Sequence, residues 1–380
     1  MKLEVQVISK ETVKPSSPTP QHLHHYQLSF LDQLQPLVFM PLVFYYLNHR
    51  EANLHNVEQS DRIKKSLADA LTRFHMLGGW VKENLYIDCN DEGVNYVEAK
   101  VKCSLSEFLE INELPTAIQV TFFNCGGLVI GVLMSHRIVD SDNSCTHTHT
   151  LFPPQELSDF NPNLGITNDK IVTTRLVFDA SVIAEIREKY SSDDKIIEYP
   201  RPSRVEALSA FIWSRFMAST QPKLDPDKIY SILHAVNLRT KTEPPLPYAY
   251  FGTSRGGFCG IIKPMREAIK KIDGDFVKML QQGDVYLKYA NENNSRFVKG
   301  VELKLSFTSL CKFPLYEVDC GWGKPAWVSA AKFTFKNVVV FIYTKSGDCI
   351  EAWFHLKEKD MAYFETYKEL LAYVSPKNVV

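Results

Sequence analysis

The spacing of apolar residues predicts two elements in the first part of the chain. Between positions 58 and 77 apolar side chains recur every three or four residues, and Gly78 and Gly79 follow them. This spacing is typical of an amphipathic helix with a glycine C-cap. Residues 36–47 are almost continuously apolar and include Pro41, but about 12 residues are too few for a membrane-spanning helix, which needs roughly 20. We therefore predict a buried strand at 36–47.

A β-hairpin is predicted immediately before the histidine of greatest interest. Residues 118–124 alternate between apolar and polar side chains, and residues 128–134 form a continuous apolar run. The intervening Cys-Gly-Gly sequence is a turn signal, so the two stretches predict a hairpin whose second strand is buried on both faces. His136 follows the end of that second strand.

The second half of the chain continues with a mixed pattern of helices and strands. Ser203 and Glu206 have capping-box spacing at the start of an apolar helical stretch. Residues 338–343 predict a buried strand, which a Ser-Gly-Asp turn connects to a second strand at 349–356. The apolar residues between 358 and 374 fall on one side of a helix, so we predict one C-terminal helix there.

Length and composition are sufficient for two globular domains. The chain has 380 residues, of which 45% are hydrophobic and 12% aromatic, so each of two domains can bury its own core. Residues 151–169 are rich in Pro, Asn and Asp and show little periodicity. We therefore predict an α/β protein with an N-terminal domain at 1–150, a linker at 151–170 and a C-terminal domain at 171–380.

Charge and cysteine usage narrow the functional classes and the compartment. Lys and Arg total 43 and Asp and Glu total 44, so no basic surplus exists for a nucleic-acid backbone or an acidic membrane surface. The eight cysteines include no CxxC pair and are too sparse for a disulfide framework. Charged residues interrupt the apolar ones within 1–14, unlike a secretory signal. We expect a monomeric cytoplasmic protein.

The sequence His-Arg-Ile-Val-Asp at 136–140 is the first candidate for catalytic chemistry. A histidine at the end of a buried strand is held by a rigid scaffold and can still face a cleft. Imidazole is largely neutral at pH 7, so His136 could accept a proton from an attacking hydroxyl, an effect worth about 10² to 10⁴ in rate. Alternatively, His136 and Asp140 form a surface ion pair at a capped strand end, and their spacing alone does not decide between the two.

The segment Asp319-Cys-Gly-Trp-Gly323 is the second candidate. Its two glycines allow the backbone to pass close to a ligand or to another chain segment, while the alternative makes Trp322 a packed core aromatic and Asp319 a turn residue. Arg239 ends an apolar stretch and would need a carboxylate partner if buried. Either Asp140 or Asp319 could supply it, and a solvated arginine is the third possibility.

A metal site at Cys145, His147 and His149 is not expected. Thiolate and imidazole are good zinc ligands, but no fourth ligand with a recognised spacing lies nearby.

Taken together, these segments and several others resemble one enzyme family. In order along the chain they are KPSSPTP at 14–20, LSFLDQ at 28–33, IDCND at 87–91, FNCGG at 123–127, HRIVD at 136–140, AVNLR at 235–239, DCGWGKP at 319–325 and SGDCIEAW at 346–353. The set resembles the plant BAHD acyltransferases, in particular the vinorine synthase-like group, over nearly the whole chain.

The resemblance implies a fold, a reaction and its substrates. It implies two chloramphenicol acetyltransferase-like domains with a channel between them, and it implies acyl-CoA, acetyl-CoA first, as a co-substrate. No metal or permanently bound cofactor is implied. The acceptor would be an alcohol or an amine, in particular a hydroxyl of a plant specialised metabolite. Because nothing in the sequence places a Ser or Cys as a nucleophile against the His136 imidazole, we expect direct transfer through a tetrahedral intermediate.

The resemblance also assigns roles to individual residues. It implies that His136 is the general base and that Asp140 pairs with Arg239 to hold the loop. It further implies a cofactor-binding set at Ser306, Thr308, Ser309, Asp319, Gly321, Trp322 and Gly323, in which the hydroxyls of segment 306–309 could help stabilise an oxyanion.

Several departures from the family pattern bear on activity. Ser141 replaces the usual glycine and Cys320 the usual phenylalanine, residues 74–80 read FHMLGGW, and the chain looks shortened at 110–114, 141–160 and 252–262. These departures motivate an alternative, a catalytically impaired relative that binds coenzyme A or a metabolite without turnover. A third hypothesis is a protein-interaction module that uses apolar surface around the shortened loops.

Overall fold

The computed structural model describes most of the chain. The described residues are 5–47, 56–101, 118–124, 126–139, 148–157, 166–167, 169–191, 201–220, 229–235, 251–255, 262–288, 290–291, 302–331 and 333–375. The strands are β1 Val5–Val13, β2 His25–Gln27, β3 Phe39–Tyr46, β4 Trp80–Lys82, β5 Tyr86–Asp88, β6 Val94–Val101, β7 Ile118–Phe123, β8 Leu128–Ser135, β9 Ile171–Phe178, β10 Ile229–Ala235, β11 Phe251–Arg255, β12 Glu302–Ser309, β13 Trp327–Ala330, β14 Val338–Tyr343 and β15 Ile350–Lys357. The α-helices are α1 Phe30–Gln33, α2 Asn56–Arg73, α3 His136–Val139, α4 Thr148–Leu151, α5 Ala180–Ser191, α6 Arg204–Thr220, α7 Ile262–Lys270, α8 Gly274–Gln282, α9 Glu358–Phe364 and α10 Lys368–Leu371. No helix in these ranges combines the length and the apolar character needed to cross a membrane.

The chain divides into two compact units that are not contiguous in sequence. The first contains residues 1–155 and 314–332, and the second contains 156–313 and 333–378. The sheet of the first unit has the order β1-β6-β7-β8-β3-β13, in which only β6 and β7 run parallel. The predicted contiguous division at 1–150, 151–170 and 171–380 placed residues 314–332 in the C-terminal domain, whereas in the structure they are part of the first unit. They belong to the first unit because β13 pairs antiparallel with β3 and completes its sheet.

The hairpin predicted before His136 is confirmed. β7 and β8 pair antiparallel from Ile118 opposite Val132 to Phe122 opposite Leu128, and Gly126 takes a positive φ of 82° in the turn between them. β8 lies between β7 and β3 in the sheet, which explains its continuous apolar sequence. The strand predicted at 36–47 is also confirmed, as β3. Pro41 lies one residue beyond the last β3–β13 pair, so its missing N–H removes no ladder bond on that side.

The predicted amphipathic helix is confirmed as α2, which packs against the first sheet. Ile63 and Leu71 are buried on its inner side and belong to the same core cluster as Val120 and Ile130 of the hairpin. The α-helix ends at Arg73, and residues up to 78 form a 3₁₀ turn rather than a continuation of the helix.

The second unit contains a six-stranded sheet of order β11-β10-β12-β14-β15-β9. The predicted strands at 338–343 and 349–356 are confirmed as β14 and β15, which pair antiparallel. The capping box of α6 is also present. The Ser203 N–H donates to Glu206 Oε2 at 2.7 Å, and the Glu206 N–H donates to Ser203 Oγ at 3.2 Å. α6 buries Phe211 against the sheet, in a core that includes Phe307 and Phe341.

The prediction of one C-terminal helix over 358–374 is wrong. The segment forms two short helices, α9 and α10, separated by residues 365–367. The Thr366 hydroxyl donates to the carbonyls of Ala362 at 3.2 Å and Tyr363 at 3.0 Å, which competes with continued helical bonding. Tyr367 is extended, with φ −74° and ψ 105°, and α10 starts after it.

Candidate active site

His136 lies where the sequence predicts it, at the exit of a buried strand. β8 ends at Ser135, and His136 is the first residue of the four-residue helix α3. The His136 N–H donates to the Val38 carbonyl at 3.0 Å, just beyond the pair formed by Ser135 and Phe39 of β3. The His136 side chain is half-buried, so the backbone of the sheet holds a histidine that solvent still reaches in part.

The two residues after His136 anchor α3 on the first unit. Ile138 is 8% exposed and packs in a small apolar cluster with Leu28, Met76, Ile87 and Cys89. Arg137 is 3% exposed, and its Nε donates to the Gln35 carbonyl at 3.0 Å. Burial lowers the pKa of Arg137, and the Asp32 carboxylate offsets part of that effect. Sequence reasoning missed Arg137, although an arginine among apolar residues at a strand end is a signal of a buried cation.

The Asp319 carboxylate stabilises a tight turn formed by residues 319–323. Its Oδ1 accepts hydrogen bonds from the N–H groups of Gly321 at 2.7 Å and Gly323 at 3.1 Å. These bonds lower the pKa of the Asp319 carboxyl. Both glycines have positive φ, 91° and 110°, a region in which other residues are strained. The glycines are therefore explained by the turn itself.

Trp322 is a core aromatic of the first unit. It is 7% exposed and belongs to the cluster that contains Phe44 and Val328. At one end of β3, Phe39 pairs with Ser135, the residue before His136. Near the other end, Tyr45 pairs with Trp327. Since β3 has eight residues, its ends are about 23 Å apart. The Asp319–Gly323 turn, joined to the distal end of β3, thus lies far from His136.

The predicted hydroxyl set lies on β12 in the second unit. β12 runs parallel to both of its neighbours, β10 and β14. Ser306 and Thr308 are half-buried and share the face opposite Phe307, which is in the core. Ser309 is at the end of the strand, where its Oγ accepts a hydrogen bond from the Cys311 N–H at 3.4 Å. Their contact with coenzyme A stays a prediction.

Several predicted residues lie outside the described part of the chain. These are Asp140, Ser141, Cys145, His147 and Arg239. His149 is on α4. Within the ranges given above, no group of three or more His, Cys, Asp or Glu side chains is arranged to hold a metal ion.

Comparison with known proteins identifies the family. The model of the Transferase family, which comprises the BAHD acyltransferases, matches residues 3–117, 112–150 and 143–371. The chain belongs to the BAHD family. The predicted resemblance is therefore confirmed.

Curated BAHD relatives match over nearly their whole length. Limonoid 7-O-acetyltransferase of Citrus sinensis is 33% identical over 453 residues, which covers 97% of this chain and 98% of that protein. Vinorine synthase of Rauvolfia serpentina is 32% identical over 414 residues, which covers 94% of this chain and 96% of that protein.

Solved structures show the same fold. The crystal structure of vinorine synthase matches with a TM-score of 0.77 and 29% identity, covering 98% of this chain and 99% of that one. TRI101 of F. sporotrichioides, complexed with coenzyme A and T-2, matches with a TM-score of 0.67 and 16% identity, covering 92% and 99%. The predicted class is confirmed: an α/β protein with the two-domain, chloramphenicol acetyltransferase-like fold of BAHD enzymes.

The match to the BAHD model is interrupted near two of the regions that look shortened. The three matched stretches overlap at 112–117 and at 143–150. The first overlap is beside the shortened region at 110–114, and the second is within the shortened region at 141–160. The alignment with the Citrus relative spans 453 positions, more than the 380 residues of this chain, so that relative contains segments that this chain lacks.

Proposed function

We propose that this BAHD enzyme transfers an acyl group, acetyl first, from acyl-CoA to a hydroxyl, or an amine, of a plant specialised metabolite. The observation that carries the proposal is the position of His136, held at the exit of β8 between the strand and two buried neighbours. Relatives named as O-acetyltransferases, and a fold neighbour complexed with coenzyme A, support the donor and the type of acceptor.

The proposed mechanism uses His136 as general base. Its imidazole takes the proton of the acceptor hydroxyl while the oxygen attacks the thioester carbonyl and forms a tetrahedral intermediate. The intermediate collapses with cleavage of the C–S bond, and the proton on the imidazole passes to the coenzyme A sulfur. Binding both substrates together supplies the proximity that a bimolecular reaction in solution lacks. No covalent enzyme intermediate forms.

The other predicted residues have supporting roles in this proposal. In this proposal Arg239 would pair with Asp140, as the family resemblance implies. Ser306 and Thr308 face the thioester end of coenzyme A, where their hydroxyls would stabilise the oxyanion. The channel between the domains, the cytoplasmic location and the monomeric state stay predictions.

A mass-spectrometric assay with several acyl-CoA donors and a library of alcohols and amines tests the proposal. We expect acetylated products with the wild-type protein and a loss of about 10² to 10⁴ in kcat/KM for His136→Ala. His22→Ala is the matched control, because His22 is an exposed histidine of the same unit. Turnover that survives in His136→Ala would refute the assignment of the base.

The same assay addresses the alternative function. Binding of coenzyme A without turnover of any acceptor, measured by calorimetry, would favour the catalytically impaired relative that Ser141 and Cys320 motivate. Transfer to at least one acceptor that depends on His136 would exclude it.

A further inference from the structure

We propose that Arg137 is a positioning residue, whose buried guanidinium fixes the direction in which α3 presents His136. The inference rests on the proposed function, because it assigns to Arg137 an effect that acts only through the His136 imidazole. Arg137 touches no reacting atom in this proposal. It holds three segments of the first unit together: α3, the residues just after α1, and the turn between β4 and β5.

α3 depends on tertiary contacts for its placement. A helix of four residues has room for about one intrahelical hydrogen bond, too few to define its orientation. Arg137 supplies the missing constraint, since its Nε donates to the Gln35 carbonyl at 3.0 Å and its Nη1 donates to Asn84 Oδ1. Because Arg137 directly follows His136 in α3, these bonds restrict the rotation of the helix that carries His136.

The acceptors of Arg137 are themselves held in place. Asn84 has a positive φ of 59° in the β4–β5 turn, and its carbonyl accepts a hydrogen bond from Gln33 Nε2 at 2.9 Å. The Gln33 side chain also bonds to the backbone of Gln155. Its Nε2 donates to the Gln155 carbonyl at 3.1 Å, and its Oε1 accepts from the Gln155 N–H at 2.8 Å. Arg137 therefore bonds to a turn that is fixed from the other side.

The segment before Gln35 provides the opposite charge. Asp32 is 4% exposed and closes a capping box with Ser29, whose N–H and hydroxyl both donate to Asp32 Oδ2. Its carboxylate is close enough to oppose the effect of burial on the pKa of Arg137. The motif LSFLDQ at 28–33 thus has a physical role beside α3.

Stability alone does not account for a cation at this position. Replacing a buried charge with a well-packed apolar side chain is often neutral or stabilising, so such charges are better explained where geometry matters. A displacement of about 1 Å of a catalytic group can lower a rate by about 10²-fold. The position of the imidazole is the quantity that Arg137 controls in this proposal.

The test compares Arg137→Met in two backgrounds. In the wild-type background we expect kcat to fall by about 10- to 100-fold with KM values within about threefold, and Arg137→Lys to restore part of the loss. In the His136→Ala background the same change should lower the residual rate by less than about twofold, because the imidazole is already absent. Equal losses in both backgrounds, or an unchanged kcat, would overturn the inference.

Two further variants control for folding. Asn84→Gly removes the Oδ1 acceptor of Arg137, and glycine suits the positive φ at this position. It should therefore also lower kcat, which keeps the inference testable even if Arg137→Met fails to fold. Arg175→Met removes a largely buried guanidinium that pairs with Glu351 at 2.6 Å in the second unit, and it should lower stability but leave kcat unchanged. If His136→Ala is fully active, the proposed function fails. If only Arg137→Met and Asn84→Gly are fully active, the positioning role alone fails.

Discussion

The rings of Tyr46 and Trp322 meet edge to face, with centroids 6.1 Å apart and an interplanar angle of 78°. Tyr46 ends β3, and its hydroxyl donates to the Val318 carbonyl at 3.2 Å. Burial raises the pKa of Tyr46, and Cys320 and Asp319 raise it further. One aromatic pair thus joins a strand of the N-terminal sequence to a turn more than 270 residues later.

Substitutions in this pair should destabilise the first unit by different amounts. Trp322→Ala removes a buried indole, so we expect the free energy of unfolding to fall by about 3–5 kcal/mol. Tyr46→Phe keeps the ring and removes the hydroxyl, which bonds to the Val318 carbonyl and lies 4.0 Å from Cys320 Sγ, so it should lower the free energy of unfolding by about 1 kcal/mol. Urea unfolding followed by far-UV circular dichroism measures both. Trp80→Ala is the control, because Trp80 is 61% exposed, and a loss there as large as for Trp322→Ala would contradict the core role of Trp322.

Thr19 and Asp91 connect two of the motifs that carry the family resemblance, SSPTP and IDCND. Asp91 Oδ2 accepts from the Thr19 N–H at 2.8 Å, and Oδ1 accepts from the Thr19 hydroxyl at 2.6 Å. Burial alone would raise the pKa of Asp91, but these hydrogen bonds lower it below its ordinary value. Since the folded pKa is depressed, the stabilisation is present above about pH 4 and is lost as the pH falls through the folded pKa.

Asp91→Ala should therefore lower the free energy of unfolding by about 1–3 kcal/mol at pH 7. The difference from wild type should shrink below pH 4, because the wild-type carboxyl is then protonated as well. Chemical unfolding at pH 7 and pH 3 tests both statements. Thr19→Val removes the hydroxyl and keeps the N–H donor, so it should lose less. A difference that is the same at both pH values would count against an ionised Asp91.

The sequence predicts those elements whose formation depends on residues close to them in the chain. β8 is predicted because its sequence is a continuous apolar run, whose first four residues are buried, and α6 because Ser203 and Glu206 satisfy the backbone at its start. His136 is placed correctly for the same reason, since the end of an apolar run marks where the strand stops. These features depend on neighbours within a few residues.

Features that depend on distant partners are not predicted. The pairing of β13 with β3, and so the assignment of 314–332 to the first unit, rests on residues more than 280 positions apart. The hydrogen bonds of Arg137 could not be predicted, because its acceptors Gln35 and Asn84 come from other segments of the chain. Thr366 interrupts the C-terminal helix through its own hydroxyl, although the apolar spacing continues across it.

A fully buried histidine in the second unit should make the protein sensitive to mild acid. His355 is 0% exposed, its Nδ1 lies 3.0 Å from Thr173 Oγ1, and Phe333 packs edge to face on its ring. Burial lowers the pKa of His355 to about 3. His234, stacked on Phe307, has a pKa lowered by burial to about 4.

Between the ordinary histidine pKa of about 6.5 and these folded values, the unfolded chain binds protons that the native protein does not. The free energy of unfolding should therefore be highest above pH 6.5 and fall towards pH 4, by up to about 1.4 kcal/mol per pH unit for each histidine. His355→Gln should flatten this decline, whereas His22→Gln, at an exposed position, should not. Urea unfolding at half-unit steps from pH 4 to 7.5 measures the slopes. Carboxylates contribute equally to wild type and variant, so parallel curves would mean that His355 is protonated in the folded protein.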